Sequence, residues 1–283
     1  MGRTKKVIDP IEFDRFYNKL QRGILTQQEV CAQLGISRAT LNRRIVEYKG
    51  KETVTHVRER VFLNPNNSFE FNTYNVADGL SLLRGLKDKT VDLVIFDPEY
   101  RAVLDHLSYG NEGAPHSPQY RRLSFPQQSD DDIKGFFDEI GRVLRNSSYV
   151  FLWLDQFSLC EARHKEWIQN TELRPVGLVA WYKGRLGSGW RLRHTCEYLL
   201  LLQAPPQRSG WSDRGIPDVW FEKPLKRNHP HAKPVDLVKR LILTVTHPGA
   251  LVIDPCAGSY TGLEAVRQAG ERFFLGSDLN TYR

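Results

Sequence analysis

Two apolar runs in this chain end in Asp-Pro, and these two turns with the residues beyond them constrain the fold more than any other feature. Val91-Asp92-Leu93-Val94-Ile95-Phe96 stops at Asp97-Pro98-Glu99-Tyr100. Leu251-Val252-Ile253 stops at Asp254-Pro255 and continues as Cys256-Ala257-Gly258-Ser259-Tyr260-Thr261-Gly262. An apolar, β-rich run that stops at a turn reads as a buried parallel strand whose C-terminal end opens into a loop. In open α/β sheets that edge is where ligands bind. One turn ends in an aromatic residue and the other enters a glycine-containing loop, so the pattern predicts two neighbouring pockets on one sheet edge.

Periodicity extends this reading over residues 69–283. Phe69–Val76 alternates like a strand, Ala77-Asp78-Gly79 ends it, and Leu80, Leu82, Leu83 and Leu86 recur at helical spacing. Ile133, Phe136, Phe137, Ile140, Val143 and Leu144 predict another helix, leading to a strand at Tyr149–Leu154. Leu178–Tyr182 and Tyr198–Leu202 read as further strands. Pro234 to Thr246 reads as a helix, followed by the strand Leu251–Ile253, a helix near Leu263–Gln268 and the strand Phe273–Gly276 ending at Asp278. Strands alternating with helices predict an α/β, doubly wound, Rossmann-like sheet. Trp181, Trp190 and Trp220 are expected to pack rather than to contact ligand.

Residues 1–60 predict a small all-α module ahead of the sheet. Asp9-Pro10 offers an N-cap with proline at the first helical position, and Phe13, Phe16, Tyr17 and Leu20 recur at helical spacing. Thr26-Gln27-Gln28-Glu29 has the spacing of a capping box. Val30 and Leu34 supply an inner face, Gly35 permits a sharp turn, and Ser37 caps a third helix with Leu41 and Ile45 inward. Small Cys31 and Ala32 are expected where these helices cross, which reads as a helix-turn-helix. Its outer face then shows Arg38, Thr40, Asn42, Arg43 and Arg44, types suited to base edges and phosphates in a major groove. The alternative is a packing module with solvated arginines. Residues 49–68, with the turn cluster Asn64-Pro65-Asn66-Asn67, mark the boundary between the two regions.

Charge agrees with a polyanionic partner. The chain holds 40 Lys/Arg against 33 Asp/Glu, and residues 1–60 carry 13 of the former against 7 of the latter, which concentrates the excess in the helical module. Apolar runs such as Tyr149–Leu154 are too short to span a bilayer, and Met1-Gly2-Arg3-Thr4-Lys5-Lys6 lacks the apolar stretch of a signal peptide. No membrane association and a cytoplasmic location are therefore expected. Cys31, Cys160, Cys196 and Cys256 are scattered, which fits a reducing compartment. His194 with Cys196, and His229 with His231, lack partners at ligand spacing, so no metal is expected.

Val91–Tyr100, His231-Ala232-Lys233-Pro234, and Asp254–Gly262 with Asp278, in this order within residues 69–283, resemble the β-class amino-methyltransferases of DNA. In that family an Asp-Pro-Pro-Tyr turn lies upstream of the cofactor-binding glycine motif, a circular permutation of the usual order. Ala77-Asp78-Gly79, Ala180-Trp181-Tyr182-Lys183 and Cys196-Glu197-Tyr198 also fall where the family has matching segments. The resemblance implies S-adenosylmethionine as cofactor, double-stranded DNA as partner, and methyl transfer to the exocyclic amine of a flipped base. It assigns Asp97, Pro98, Glu99 and Tyr100 to the catalytic turn. The Asp97 carboxylate and the Pro98 carbonyl would accept the amine's two N–H bonds, and Tyr100 would stack on the base. It assigns Asp97, Asp254, Cys256, Ala257, Gly258, Ser259, Tyr260 and Thr261 to the cofactor pocket and Asp278 to the ribose hydroxyls. Asp78 falls near the adenine, and Lys233 and Pro234 line the methionine end. Aspartate rather than serine at position 97 favours adenine N6 over cytosine N4. The glycine-rich basic stretch containing Arg185 and Arg191 reads as a clamp on the DNA backbone or a mobile lid.

Two residues depart from the family pattern. Glu99 stands where a second proline is usual, and Tyr260 replaces a further glycine, either packing beneath the adenosine or occluding it. These departures motivate a competing reading, a DNA-binding regulator on a catalytically degenerate scaffold. A cytosine-N4 enzyme is a second alternative, and a helix-turn-helix argues against an RNA methyltransferase. A homodimer is compatible with everything above. With the chain stopping five residues past Asp278, contacts that a following helix makes in the family are expected to come from elsewhere or to be absent. The assignment requires Asp97 and Asp278 on the same edge of the sheet.

Overall fold

The computed structural model describes residues 25–45, 62–64, 68–99, 128–187, 191–207, 210–224 and 232–279, together with helical Phe13, Phe16 and Leu20. The chain divides into two compact units, Met1–Val61 and Phe62–Arg283.

In the first unit, α1 (Gln27–Leu34) starts at Thr26. The Thr26 hydroxyl accepts the Glu29 amide at 3.3 Å, and the Glu29 carboxylate accepts the Thr26 amide at 2.7 Å, so the capping box is complete. Gly35 ends α1 in the left-handed conformation (φ 63°), and residues 38–45 form the next helix. Ser37 Oγ accepts the Thr40 amide there at 3.2 Å. Phe13, Val30, Leu34 and Leu41 are buried together, with Cys31 and Ile45 packed against them. Ala32 is exposed, contrary to its expected place at the helix crossing. It lies about 200° around the helix from Val30, on the far side of the apolar stripe.

The second unit is an eight-stranded sheet. Its strands are β1 (Asn75–Val76), β2 (Val91–Phe96), β3 (Leu144–Leu154), β4 (Arg174–Tyr182), β5 (Cys196–Gln203), β6 (Val219–Phe221), β7 (Leu251–Asp254) and β8 (Phe273–Asp278), in the spatial order β1-β8-β7-β2-β3-β5-β4-β6. The run β1-β8-β7-β2-β3 is parallel throughout, β5 is antiparallel to both β3 and β4, and β6 is parallel to β4. From β7 the chain winds outward to β8, and from β2 it winds the opposite way to β3. The switch point therefore lies between β7 and β2, the two strands that end in Asp-Pro.

Helices cover both faces. Side chains of α2 (Gly79–Arg84), α3 (Asp130–Val143) and α5 (Arg163–Trp167) bury Leu82, Phe137, Ile140 and Trp167 against Val94, Phe96 and Leu152. On the other face α6 (Val235–Val245) and α7 (Thr261–Ala269) bury Leu237, Leu241 and Val266 against Leu93, Ile95 and Val252. β2 thus alternates between two cores, which is why its sequence is apolar almost throughout. Truncating a side chain buried as fully as Phe137 costs about 3–5 kcal/mol. A fourth short helix, α4 (Gln156–Cys160), follows β3.

The expected strand Phe69–Val76 is mostly a turn, and only β1 pairs with the sheet. Asn72 adopts φ 58°, and its side-chain carbonyl accepts the Phe274 amide at 2.8 Å. The Asn75 side chain accepts the Glu70 amide at 2.9 Å. These asparagine bonds give the backbone an alternative to the ladder. Among the described residues, no helix is long and apolar enough to cross a membrane.

Candidate active site

Because β2, β7 and β8 are parallel, their C-terminal ends share one edge, and Asp97, Asp254 and Asp278 stand along it. Between β2 and β7 is a crevice of about 30 Å³, lined by Asp97, Trp153, Lys233, Asp254, Cys256 and Gly258 among others. Lys233, just before α6, places its ammonium 2.9 Å from Asp97 Oδ2 and 3.0 Å from Glu197 Oε2, above the Trp153 ring. Glu197 Oε1 pairs in turn with Lys183, which sits over Trp181.

Burial and charge set the protonation of this group. Burial raises the Asp97 pKa, only partly opposed by Lys233. Burial acts the same way on Glu197, but the ammonium groups of Lys233 and Lys183 outweigh it and hold that carboxyl at about 2. Lys233 is raised despite burial, by Asp97 and Glu197. Asp254 is pushed well up by burial and then by the charge of Asp97, and burial also pushes the Cys256 thiol well up.

The loop after β7 is pinned from below. Asp254 Oδ1 accepts the Cys256 amide at 3.2 Å, Ser277 O accepts the Ala257 amide at 3.0 Å, and Asp278 Oδ2 accepts the Gly258 amide at 2.9 Å. Ser259 and Thr261 join through their hydroxyls at 2.9 Å. Asp78 caps α2, its carboxylate accepting the Ser81 amide at 2.8 Å. Gly79 lies so close under the loop that a Cβ there would stand 2.1 Å from Pro255 O, so only glycine brings Asp78 this near. Pro98 and Pro234 are buried and Glu99 is exposed, its carbonyl accepting the Gln128 amide at 2.9 Å. The Gln128 side chain reaches Cys256 Sγ at 3.5 Å, tying the two Asp-Pro turns together.

Tyr260 is packed inside the second unit. Its ring is buried against Tyr74, with centroids 4.5 Å apart, and its hydroxyl donates to Asn75 O at 2.8 Å. It lies beside β1. Arg185 and Arg191 are exposed on the β4–β5 hairpin, pinned by the Gly187 amide donating to His194 O at 2.8 Å. β4 runs parallel to β3 across the antiparallel β5, so this hairpin leaves the same edge that carries Asp97. In the helical unit Arg38, Asn42 and Arg43 are exposed, and Arg38 Nε donates to Gln27 Oε1 at 3.1 Å. Thr40 is half-buried, its hydroxyl shared with Ser37 at 3.0 Å. Tyr100, Trp190 and His231 lie outside the described residues. The sequence reading missed Glu197, Lys183, Trp153 and Gln128. The one local signal was an acidic residue opening the otherwise apolar Tyr198–Leu202 run.

Residues 91–283 match the DNA methylase family of N6- and N4-methyltransferases. The chain belongs to that family. It is 41% identical over 211 residues to the type II methyltransferase M.HhaII of Haemophilus parahaemolyticus, covering 74% of this chain and 91% of that protein. It is 48% identical over 54 residues to the DNA adenine methyltransferase YhdJ of Escherichia coli K12, covering 19% of this chain and 18% of that protein. The TTHA0409 DNA modification methylase of Thermus thermophilus, solved with S-adenosyl-L-methionine, shares the fold. Its TM-score is 0.52 at 20% identity, over 73% of this chain and 89% of that one. The cytosine-N4-specific PvuII DNA methyltransferase does so too, with a TM-score of 0.54 at 13% identity, over 75% and 83% of the two chains.

This methylase uses S-adenosylmethionine and acts on DNA. Its own residues fit such a cofactor. The buried Trp153 Nε1 in the crevice wall and the buried Gln128 Oε1 have no hydrogen-bond partner among the described residues. Buried polar atoms are seldom left so, and a polar ligand in the crevice offers Trp153 Nε1 a partner. Three carboxyl groups along one edge suit a ligand carrying an ammonium and a sulfonium.

Proposed function

We propose that the protein is a DNA adenine-N6 methyltransferase of the circularly permuted β class, acting on a base flipped from double-stranded DNA. The observation that carries this reading is the Asp97 carboxylate, held by Lys233 at the mouth of the crevice between β2 and β7. When bound, S-adenosylmethionine supplies an electrophilic methyl group on a sulfonium.

The chain's own residues do the rest. The lone pair of an exocyclic amine is conjugated into the base and is a poor nucleophile. Lys233 occupies Asp97 Oδ2, and Asp97 Oδ1 makes no hydrogen bond among the described residues. Oδ1 accepts one amine N–H and the Pro98 carbonyl accepts the other, drawing the nitrogen toward tetrahedral geometry and freeing its lone pair. Tyr100 stacks on the extruded ring. Once methylated, the nitrogen carries a proton too many. Asp97 takes it, so that an N–H bond breaks, an O–H bond forms and the electron pair returns to nitrogen. Asp278 and Gly258 hold the ribose end, Asp78 the adenine, and Lys233 and Pro234 the methionine end.

Aspartate at position 97 supports adenine, as does the similarity to a protein named as a DNA adenine methyltransferase. Asp97, Pro98, Gly258 and Asp278, all present, support an active enzyme over a degenerate scaffold. Residues 1–60 act as the DNA-binding module through Arg38, Asn42 and Arg43, and residues 69–283 carry catalysis, with Arg185 and Arg191 gripping the backbone.

Mass spectrometry of nucleosides from DNA of cells expressing the protein tests the reading, with N6-methyladenine as the expected product. N4-methylcytosine would overturn the base assignment, and unmarked DNA would favour the regulator. Arg38→Ala is expected to weaken DNA binding and lower the salt slope by about one, with cofactor affinity unchanged.

A further inference from the structure

Four charged side chains cross the active edge in alternating sign: Lys183, Glu197, Lys233 and Asp97. They come from four places, after β4, in β5, before α6 and after β2. Trp153 and Trp181 form the floor, edge to face at 6.0 Å, with one lysine above each ring. Side-chain exposures of 22%, 25%, 14% and 32% along the chain mean that every charge is largely withdrawn from water. Such groups are costly to bury, and apolar packing often replaces them without loss of stability. A role in holding reacting groups explains their presence better than a role in folding.

We propose that Glu197 is a positioning residue for methyl transfer, acting through Lys233 to fix the Asp97 carboxylate, with Lys183 anchoring Glu197 from the far side. The proposal rests on the assignment of Asp97 as the acceptor of the target amine. Both Glu197 oxygens are committed to lysines, Oε1 to Lys183 and Oε2 to Lys233. An ammonium on a four-carbon stem has no preferred direction of its own. Held by two anions, Lys233 has one place to stand, and that place occupies Asp97 Oδ2. Oδ1 is then the oxygen left to meet the base. Without Glu197, Lys233 keeps only Asp97 as an ion-pair partner among the described residues, and the carboxylate follows the lysine's motion.

The test uses the full-length protein with Glu197→Gln, Glu197→Asp, Lys233→Met and the double variant Glu197→Gln/Lys233→Met. Acetic anhydride at mildly alkaline pH, with peptide mass spectrometry, reads the free-amine fraction of Lys233. Removing one of its two anions lowers its pKa, and a fall of one unit gives about tenfold faster acetylation in Glu197→Gln. Methyl incorporation into DNA should show kcat lowered about 10- to 100-fold, with KM for DNA within about threefold. Glu197→Asp should fall between Glu197→Gln and the parent in both readouts, which a loss of folding would not produce. The double variant should be no slower than Lys233→Met alone, because Glu197 acts only through that lysine. Multiplicative losses in the double variant, or unchanged acetylation of Lys233 in Glu197→Gln, would overturn the proposal. If the parent transfers no methyl group, the functional reading fails instead, and the acetylation rates still decide whether Glu197 controls Lys233.

Discussion

The two edges of this sheet each carry a cavity ringed by charge, and they differ in how completely the charges are used. The N-terminal edge has the larger cavity, about 360 Å³, lined by Lys89, Asp138, Arg142, Asn170, Glu172 and Pro205 among others. There Arg142 is saturated, donating to the Asp88 and Glu139 carboxylates and to the carbonyls of Leu83 (2.9 Å) and Leu86 (3.0 Å). The C-terminal edge has a cavity of only about 30 Å³, yet the buried Trp153 Nε1 in its wall has no hydrogen-bond partner among the described residues. Volume alone would select the N-terminal edge. Completed hydrogen bonding marks a joint of the scaffold, and withheld bonding marks a place for something else to bind.

Asp97→Ala is the strongest way to break that contrast. Methyl transfer should fall on the order of 10²- to 10³-fold, while calorimetry with S-adenosylmethionine shows affinity within a few-fold of the parent. A full rate would remove Asp97 from its proposed role and the C-terminal edge from its special status. Arg142→Ala sharpens the same contrast from the other side. It strands two part-buried carbonyls and two carboxylates, so denaturant unfolding should show a loss of about 2–3 kcal/mol with kcat unchanged. A rate defect without a stability defect would mean that the N-terminal edge takes part in the reaction.

The same division governs what could be read from the sequence. β2 and β7 were legible because both of their faces are buried, which leaves runs apolar almost throughout between turns. α3 was legible from Ile133, Phe136, Phe137 and Ile140, while the Ser129–Asp132 capping box that fixes its start went unread. β1 was misread, because the alternation over residues 69–76 belongs to an asparagine-held turn. β6, with three residues, and α4 and α5, with five each, are too short for periodicity to register. In the site, Asp97 and Asp254 announce themselves by where their strands stop. Glu197 does not, because its meaning comes from antiparallel pairing that sets it opposite Trp181 and within reach of Lys233, 36 residues away. No local pattern encodes a contact of that kind. Tyr260 was ambiguous for the same reason, since its partner Asn75 lies 185 residues distant.

The smallest of the expected effects concerns acid, and its sign separates two carboxyl groups on the active edge. Glu197 is depressed, so its contribution to stability is present above its unfolded pKa, about 4.3. That contribution is lost as pH falls through its folded value of about 2. The stability gap between the parent and Glu197→Gln should therefore stay constant from neutral pH to about 4.3 and shrink below it. Asp254 has the opposite sign. Burial and the neighbouring Asp97 raise its folded pKa well above the usual carboxylate range, so its ionised form opposes folding at neutral pH. Asp254→Asn keeps a carbonyl oxygen for the Cys256 amide and removes the charge, so it should stabilise the protein at neutral pH. That advantage should disappear as pH falls below the unfolded value of about 3.9, where the parent's Asp254 is already neutral. Thermal unfolding of the three proteins across this pH range reads both effects at once. Two gaps closing in opposite senses are the signature of an edge where paired and unpaired charge coexist. Parallel pH curves would mean that neither carboxyl senses its neighbours as the geometry requires.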